Sequence, residues 1–321
     1  MKSLILTHKD VDGIASAAII FRYLQLKVGL SKEEINIIFT GPSNLPKELD
    51  KVVNLSNIRL YISDISMNIS SAGEIKGKLK KIREKGNEIY WIDHHEWRNE
   101  DVKDINQIVN LLMINKSTSA ARIAYEKLMF DDEISRKICM YADDIDTLTD
   151  KFNESFVIRA LSFRDKWRKK LFEKFIKGIF WDDEIASETK NIWKKTEKDL
   201  AKTLNKTKIY NTKNGLRFGF IDLRGVKTPK SWLAKKIAEK NNLDFTIVWR
   251  SNNSISAYIG DKSKNINLLK IAEKFGGGGH VFACGFRVKI SLKSKIMNSL
   301  SFKKLIPNEI KKVIETIIEI M

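Results

Sequence analysis

The sequence predicts an α/β protein in two parts: an N-terminal domain with a mostly parallel sheet flanked by helices, and a smaller C-terminal α/β domain with a mixed sheet. A helical connector joins them. Three observations carry this. Short apolar runs alternate with helical patterns through the first 150 residues, which is the signature of strand–helix–strand units and a parallel sheet. The stretch from Phe163 to Leu204 is helical in pattern, highly charged and nearly free of glycine. Beyond it, strand-like runs resume around one helix and end near four consecutive glycines. The implied boundaries are 1–162 for the first domain, 163–205 for the connector and 206–321 for the second domain.

Leu4 to Leu6 read as a buried strand, followed by Thr7-His8-Lys9-Asp10-Val11-Asp12-Gly13 and a helical run from Ile14 to Leu26. His8, Asp10 and Asp12 recur every second residue, so in a locally extended segment their side chains emerge on one side. Gly13 permits a tight entry into the helix. Ile35 to Phe39 form a second strand, and Ile58 to Ser63 a third that terminates in Asp64. The amphipathic run Ile75 to Lys85 stops at Gly86, and the fourth strand, Glu88 to Ile92, ends in Asp93-His94-His95. In a parallel sheet, ligands bind beyond the carboxyl ends of strands, so three strand ends rich in Asp and His converge on one edge. An isolated Asp there is an ordinary turn or helix cap; the repetition at three ends points to metal binding.

Asn115 to Ser119 precede a helical pattern from Ala120 to Met129 and supply its cap. The apolar helix Ile134 to Ala142 runs into Asp143-Asp144-Ile145-Asp146, a fourth acidic cluster. In the second domain, Leu216 to Leu223, Phe245 to Trp249 and Ser254 to Ile259 read as strands, Ser231 to Asn241 and Ile266 to Phe275 as helices. Gly276-Gly277-Gly278-Gly279 then lack every Cβ, so backbone amides can approach an anion, with His280 as a further donor. The tail from Pro307 to Met321 is amphipathic, and its pattern leaves open whether it packs on the core or on a partner.

Net charge is +18 over 321 residues, unevenly spread. Residues 1–150 hold 21 Lys/Arg and 23 Asp/Glu, leaving 37 and 17 for residues 151–321, so the two parts carry about −2 and +20. A basic second part suits a polyanionic ligand, although a lysine-rich solvated surface gives the same count. Cys139 and Cys284 stand alone in apolar surroundings, which argues against a disulfide framework or thiolate metal site and fits a reducing cytoplasm. The N-terminal apolar run is too short for a signal peptide, and no later run reaches membrane-spanning length, so a soluble cytoplasmic protein is expected.

With these residues in view, the chain resembles the DHH phosphoesterase superfamily in its combination with the DHH-associated C-terminal domain of the RecJ and nano-RNase type. The resemblance covers nearly the full length. It rests on His8-Lys9-Asp10-Val11-Asp12-Gly13, on Asp64, on Asp93-His94-His95 and on Gly276-Gly277-Gly278-Gly279-His280. It implies two divalent cations, Mn²⁺ with Mg²⁺ as substitute: His8 and Asp10 hold one, Asp12 and His94 the other, and Asp64 bridges both. A fourth-motif carboxylate completes the ligand set of the second metal, a role carried to Asp143, with Asp146 as fallback because three acidic residues compete there. Asp93 is expected to orient an imidazole and His95 to contact a substrate phosphate. Carboxylates with a minority of imidazoles and no thiolates independently suit Mn²⁺ or Mg²⁺. One departure stands out: Tyr258 occupies the place of an arginine that family members often carry, which leaves Arg250 or the lysine-rich surface to compensate.

The function expected is a two-metal phosphodiesterase that hydrolyses short single-stranded RNA or DNA to mononucleotides, of the exonuclease or oligoribonuclease type. The alternatives are a phosphatase of 3′-phosphoadenosine 5′-phosphate, a cyclic dinucleotide phosphodiesterase, or a nucleic-acid-binding subunit without activity. A homodimer is compatible with the sequence, and membrane association is not expected.

Overall fold

The computed structural model describes residues 1–147, 149, 151–251, 253–260, 265–300 and 305–321, without the side chains of 295, 298 and 299. The chain forms two compact units, residues 1–189 and 190–321.

In the first unit the order is β1 (Lys2–His8), α1 (Val11–Leu26), β2 (Ile35–Thr40), α2 (Leu45–Asp50), β3 (Ile58–Ser63), α3 (Ala72–Glu84), β4 (Glu88–Asp93), α4 (Asn99–Ile108), β5 (Leu111–Ile114), α5 (Ala120–Leu128), α6 (Glu133–Asp146), α7 (Ser155–Ser162) and α8 (Asp165–Phe175). The five strands form a parallel sheet in the order β2-β1-β3-β4-β5. Because all five run the same way, the ends of β1, β3 and β4 lie side by side.

Helix α1 is apolar on nearly every side: Ile14, Ala15, Ala17, Ala18, Ile19 and Ile20 are all fully buried. A helix without a polar face must be covered all round, and α1 is covered by α5, α6 and α8 as well as by β1. Each fully buried isoleucine contributes roughly 1.5–3 kcal/mol. On the sheet's other face, Leu60, Ile62, Ile89 and Trp91 pack against Ile75, Leu79 and Ile82 of α3 and Ile105 of α4. Trp91 is held in this core by its indole N–H, which donates to the Ile65 carbonyl at 2.9 Å, and by edge contact with Trp97.

The stretch expected as a connector divides. Gly178, at φ +73°, breaks the helical pattern after α8. Phe172 of α8 meets Phe21 edge-on, and Arg22 donates to the Ile176 carbonyl, so the first half of the stretch belongs to the first unit's core. The second half is α9 (Asp183–Leu204), which spans the boundary between the units.

The second unit continues with β6 (Lys208–Asn211), β7 (Arg217–Asp222), α10 (Lys230–Asn241), β8 (Phe245–Ser251), β9 (Ser254–Ile259), α11 (Leu269–Lys274), β10 (Gly278–His280), β11 (Ala283–Arg287), α12 (Leu292–Leu300) and α13 (Asn308–Ile320). Its six-stranded sheet runs β10-β11-β9-β8-β7-β6 and is mixed, since β7 and β8 are parallel and the other pairs antiparallel. The C-terminal amphipathic helix packs inward: Ile310, Val313, Ile314 and Ile317 join Phe218, Phe245 and Trp249 in one core. The i, i+3, i+4, i+7 pattern is thereby satisfied within the unit.

Candidate metal centre

Gly13 is where sequence first becomes site. A Cβ at this position would lie 2.4 Å from the His8 carbonyl oxygen, so only glycine lets the chain turn this tightly from β1 into α1. Thr7 clamps the turn by donating to the Gly13 carbonyl at 2.6 Å, and Asp10 caps α1 by accepting from Gly13 N at 3.1 Å. Asp12 therefore lies in the first helical turn, not in the extended segment that its alternating spacing suggested. It still reaches the same edge, because the turn folds back over the end of β1.

Asp64 follows β3 in the left-handed region, at φ +54°. Aspartate tolerates this conformation better than most residues, and Asp64 N is secured by the Ile92 carbonyl at 2.9 Å. The two carboxylate oxygens face different neighbours. Oδ1 is 3.2 Å from His94 Nε2, and Oδ2 is 3.6 Å from His8 Nδ1. Oδ2 is buried with no hydrogen-bond partner. Three sets of ligand-capable atoms meet at Asp64, one with His8 and Asp10, one with Asp12 and His94 and one with Asp93 and His95, the atoms of each set lying within 4.8 Å of one another. His8 Nδ1 is 2.7 Å from Asp10 Oδ2, and His94 Nε2 is 3.5 Å from Asp12 Oδ2.

Asp12 also holds a helix in place. Its two oxygens accept from Ala120 N and Ala121 N, each at 2.8 Å, which ties the start of α5 to the cluster. Asp93 is fully buried and its oxygens are both used: Oδ1 bonds His95 Nδ1 at 2.8 Å and Oδ2 accepts from Trp97 Nε1 at 2.6 Å. Asp93 thus fixes the His95 ring.

The fourth acidic cluster separates into three roles. Asp143 accepts from Arg122 Nε at 2.9 Å and Nη2 at 2.5 Å, and from Ser119 Oγ at 2.5 Å. Asp143, to which the ligand role was carried, is thus paired with Arg122 and Ser119, and among the described residues it enters none of the ligand-capable sets around Asp64. Asp144 is buried and accepts from Thr149, Lys151 N, Phe152 N and Ser155, closing the turn into α7. Asp146, the fallback, is the one that faces the cluster, with Oδ2 at 3.7 Å from His94 Nδ1.

The electrostatics follow from crowding. Burial and the neighbouring Asp64 push the Asp12 carboxyl well above its ordinary range, and burial together with Asp64 and Asp10 raises Asp146 to about 6. Burial disfavours charge on the histidines, yet the carboxylates outweigh it. His94 rises to about 11 against burial because of Asp64, Asp12 and Asp146; His8 is raised well above its usual value by Asp10 and Asp64, and His95 is raised by Asp93. Asp93 is lowered by His95 and Trp97 in spite of burial. Such a site concentrates negative charge that calls for a cation. The unpartnered buried Oδ2 of Asp64, and a donor set of carboxylate oxygens and imidazoles without a thiolate, fit hard divalent cations.

Gly276 to Gly279, His280 and Arg250 lie in the second unit. Gly278 to His280 form the short edge strand β10 instead of an open loop. Gly276 and Gly279 have φ of +70° and +135°, and a Cβ on Gly277 would lie 2.2 Å from the Gly285 carbonyl oxygen. Backbone packing thus demands glycine at 277 and 279 before any ligand does. Arg250 Nη1 donates to Ser256 Oγ at 3.3 Å. Sequence reasoning missed Trp97, whose indole needs a buried acceptor, four residues beyond Asp93, and it missed the second use of Asp12, which depends on a contact 108 residues away.

Residues 2–148 match the DHH family, N-terminal domain. Among solved structures, a DHH-domain protein described as a member of a family of ribosomal proteins superposes with a TM-score of 0.61 at 16% identity, over 95% of this chain and 87% of that one. The exonuclease RecJ bound to manganese gives 0.53 at 14% identity over 97% and 92%, and the pGpG-specific phosphodiesterase of Vibrio cholerae gives 0.50 at 14% identity over 98% and 99%. At these identities the likeness is one of fold. No curated protein matches by sequence.

Proposed function

We propose, from the match of residues 2–148 to the DHH family's N-terminal domain, that the protein is a metal-dependent phosphodiesterase acting on short single-stranded oligonucleotides and releasing mononucleotides. The observation that carries this reading is Asp64. One carboxylate turns one oxygen towards His94 and the other towards His8, and the oxygen facing His8 is buried without a hydrogen bond.

In this reading His8, Asp10 and Asp64 hold one divalent cation, and Asp12, Asp64, His94 and Asp146 the other. When bound, such a pair supplies Lewis acidity at phosphorus and a water-derived nucleophile near neutral pH. The chain's own residues do the rest. Asp12 fastens the start of α5 beside the cluster, so that its ligand atoms stay fixed during turnover. Asp93 holds Nδ1 of His95 and so fixes the ring that this reading assigns to a substrate phosphate oxygen. Burial works against charge on His95, but Asp93 raises its pKa and so keeps the ring protonated over more of the neutral range. In the second unit, the glycine-rich segment and the surplus of basic residues are assigned to substrate binding.

The choice of oligonucleotide over a small nucleotide is supported by the charge of +20 on residues 151–321. Each phosphate contacted along a single strand adds about 0.7 to the slope of log affinity against log salt, so an oligonucleotide enzyme shows a steep dependence. The test offers end-labelled RNA and DNA of several lengths, 3′-phosphoadenosine 5′-phosphate, and linear and cyclic dinucleotides, with Mn²⁺. Turnover of oligonucleotides longer than two residues, with a steep salt dependence of KM, is expected. Turnover confined to small nucleotides would overturn the substrate assignment; failure to cleave any phosphoester with Mn²⁺ bound would overturn the activity and leave a binding subunit.

A further inference from the structure

The turn that carries His8 and Asp10 is held from a distant part of the chain. Lys9 lies between them, and its carbonyl accepts a hydrogen bond from Arg168 Nε at 3.0 Å, across 159 residues of sequence. Arg168 belongs to α8, which lies outside the stretch 2–148 that matches the DHH family. Its side chain is 11% exposed, and Nη1 donates to Asp165 Oδ1 at 2.7 Å, three residues earlier on the same helix. An uncompensated cation beside a cation site would work against metal binding. The Asp165 carboxylate offsets that charge and orients the guanidinium, so what reaches the turn is a directed hydrogen bond.

The place of this bond gives it its consequence. The Lys9 carbonyl and the Asp10 amide share one rigid peptide plane. Fixing the oxygen therefore fixes the direction in which the chain enters Asp10, whose carboxylate meets His8 Nδ1 at 2.7 Å and Gly13 N at 3.1 Å. The other ligand set is secured by different helices. Asp12 accepts from Ala120 N and Ala121 N at the start of α5, and Asp146 closes α6. Packing alone does not call for the Arg168 bond. Helix α8 is already seated on α1 by Phe172 against Phe21, by the buried Trp167, Leu171 and Phe175, and at its far end by Arg22, which donates to the Ile176 carbonyl at 2.8 Å.

We propose that Arg168 is a positioning residue for the His8–Asp10 cation site: by holding the Lys9 carbonyl it sets the geometry of one cation site and leaves the other to α5 and α6. That two cations bind rests on the two-metal reading; which of them depends on Arg168 rests on the hydrogen bond to the turn.

The test is Mn²⁺ binding to the metal-free full chain, by equilibrium dialysis over a range of free Mn²⁺, with electron paramagnetic resonance of the same samples. The wild type is expected to bind two ions and to give an exchange-coupled spectrum. In Arg168→Ala one of the two should bind about ten-fold more weakly, the lower end of what partners that orient a metal ligand contribute. At a Mn²⁺ level that fills both wild-type sites, the spectrum of this variant should be that of an isolated ion. Arg168→Lys keeps a donor and should recover part of the loss. Arg22→Ala frees the far end of α8 without touching the turn, and should keep both ions even where urea denaturation shows the larger loss of stability. Added to Asp146→Ala, Arg168→Ala should remove the remaining ion at that Mn²⁺ level. Two ions in the wild type with unchanged or tighter binding in Arg168→Ala, or the same loss in Arg22→Ala, overturns the role of Arg168 alone. One ion retained in the double variant overturns its assignment to His8 and Asp10. Fewer than two ions in the wild type overturns the two-metal reading and the site-selective role together.

Discussion

Asp64 stands between His94, 3.2 Å from one of its oxygens, and His8, 3.6 Å from the other. The relationship is built by strand order: β3 lies between β1 and β4, so the residue ending it sits between the histidines that end or follow its neighbours. The positive φ of Asp64 lets a single carboxylate leave the strand and face both.

Asp146 and Asp143 should separate by experiment. Asp146→Ala is expected to weaken Mn²⁺ binding and lower turnover by at least ten-fold while leaving urea stability nearly unchanged. Asp143→Ala should instead lower stability by about 1–3 kcal/mol, since it leaves Arg122 and Ser119 without their acceptor. Calorimetric Mn²⁺ titration and urea denaturation of both variants distinguish them; the reverse pattern would return the ligand role to Asp143.

Asp93→Asn removes the charge that orients His95 and accepts from Trp97. Partners of this kind typically change metal affinity or activity by about 10–100-fold. The expected outcome is a fall in kcat of that size with bound Mn²⁺ retained, read by single-turnover kinetics beside metal analysis. Unchanged kcat would remove His95 from the chemistry.

Gly13→Ala places a methyl against the His8 carbonyl. The turn must open, which moves His8 and Asp10 together. A stability loss of about 2 kcal/mol or more is expected for a backbone collision of this kind, with Mn²⁺ affinity falling in parallel. Wild-type stability in denaturant titration would contradict the role assigned to this glycine.

Away from the site, Asp132 gives a pH dependence with a defined sign. Burial works against its charge, but the Arg22 fork at 2.6 and 2.8 Å and the Ser135 amide hold it at about 2, below the ordinary 3.8. A depressed carboxyl stabilises the fold above its unfolded pKa and loses that contribution as pH falls through its folded pKa. The shift corresponds to about 2 kcal/mol. The stability difference between wild type and Asp132→Asn should thus be constant above pH ~5 and shrink from pH ~4 towards ~2. A difference that stays flat across that window rules out the ion pair as its source.

The sheet, its strand ends and the residues at them were legible because each signal is local: an apolar run sets the strand, and Asp64 or His94 follows it directly. The choice among Asp143, Asp144 and Asp146 was not legible. All three occupy the last turn of α6, and what separates them is Arg122 on α5 and His94 after β4, contacts that join distant parts of the chain. The glycine segment was legible only in part for the same reason: its lack of side chains reads as room for a ligand, and the close approach of the β11 backbone to Gly277 and Gly279 is a second demand that joins distant residues.

The bridging role of Asp64 is tested most directly by the stoichiometry of Mn²⁺ binding to the metal-free full chain, measured by equilibrium dialysis with atomic absorption. Two ions per chain are expected in the wild type, with a joint loss of both in Asp64→Ala, because one carboxylate serves both ligand sets. A single ion in the wild type, or two ions retained after Asp64→Ala, would contradict it.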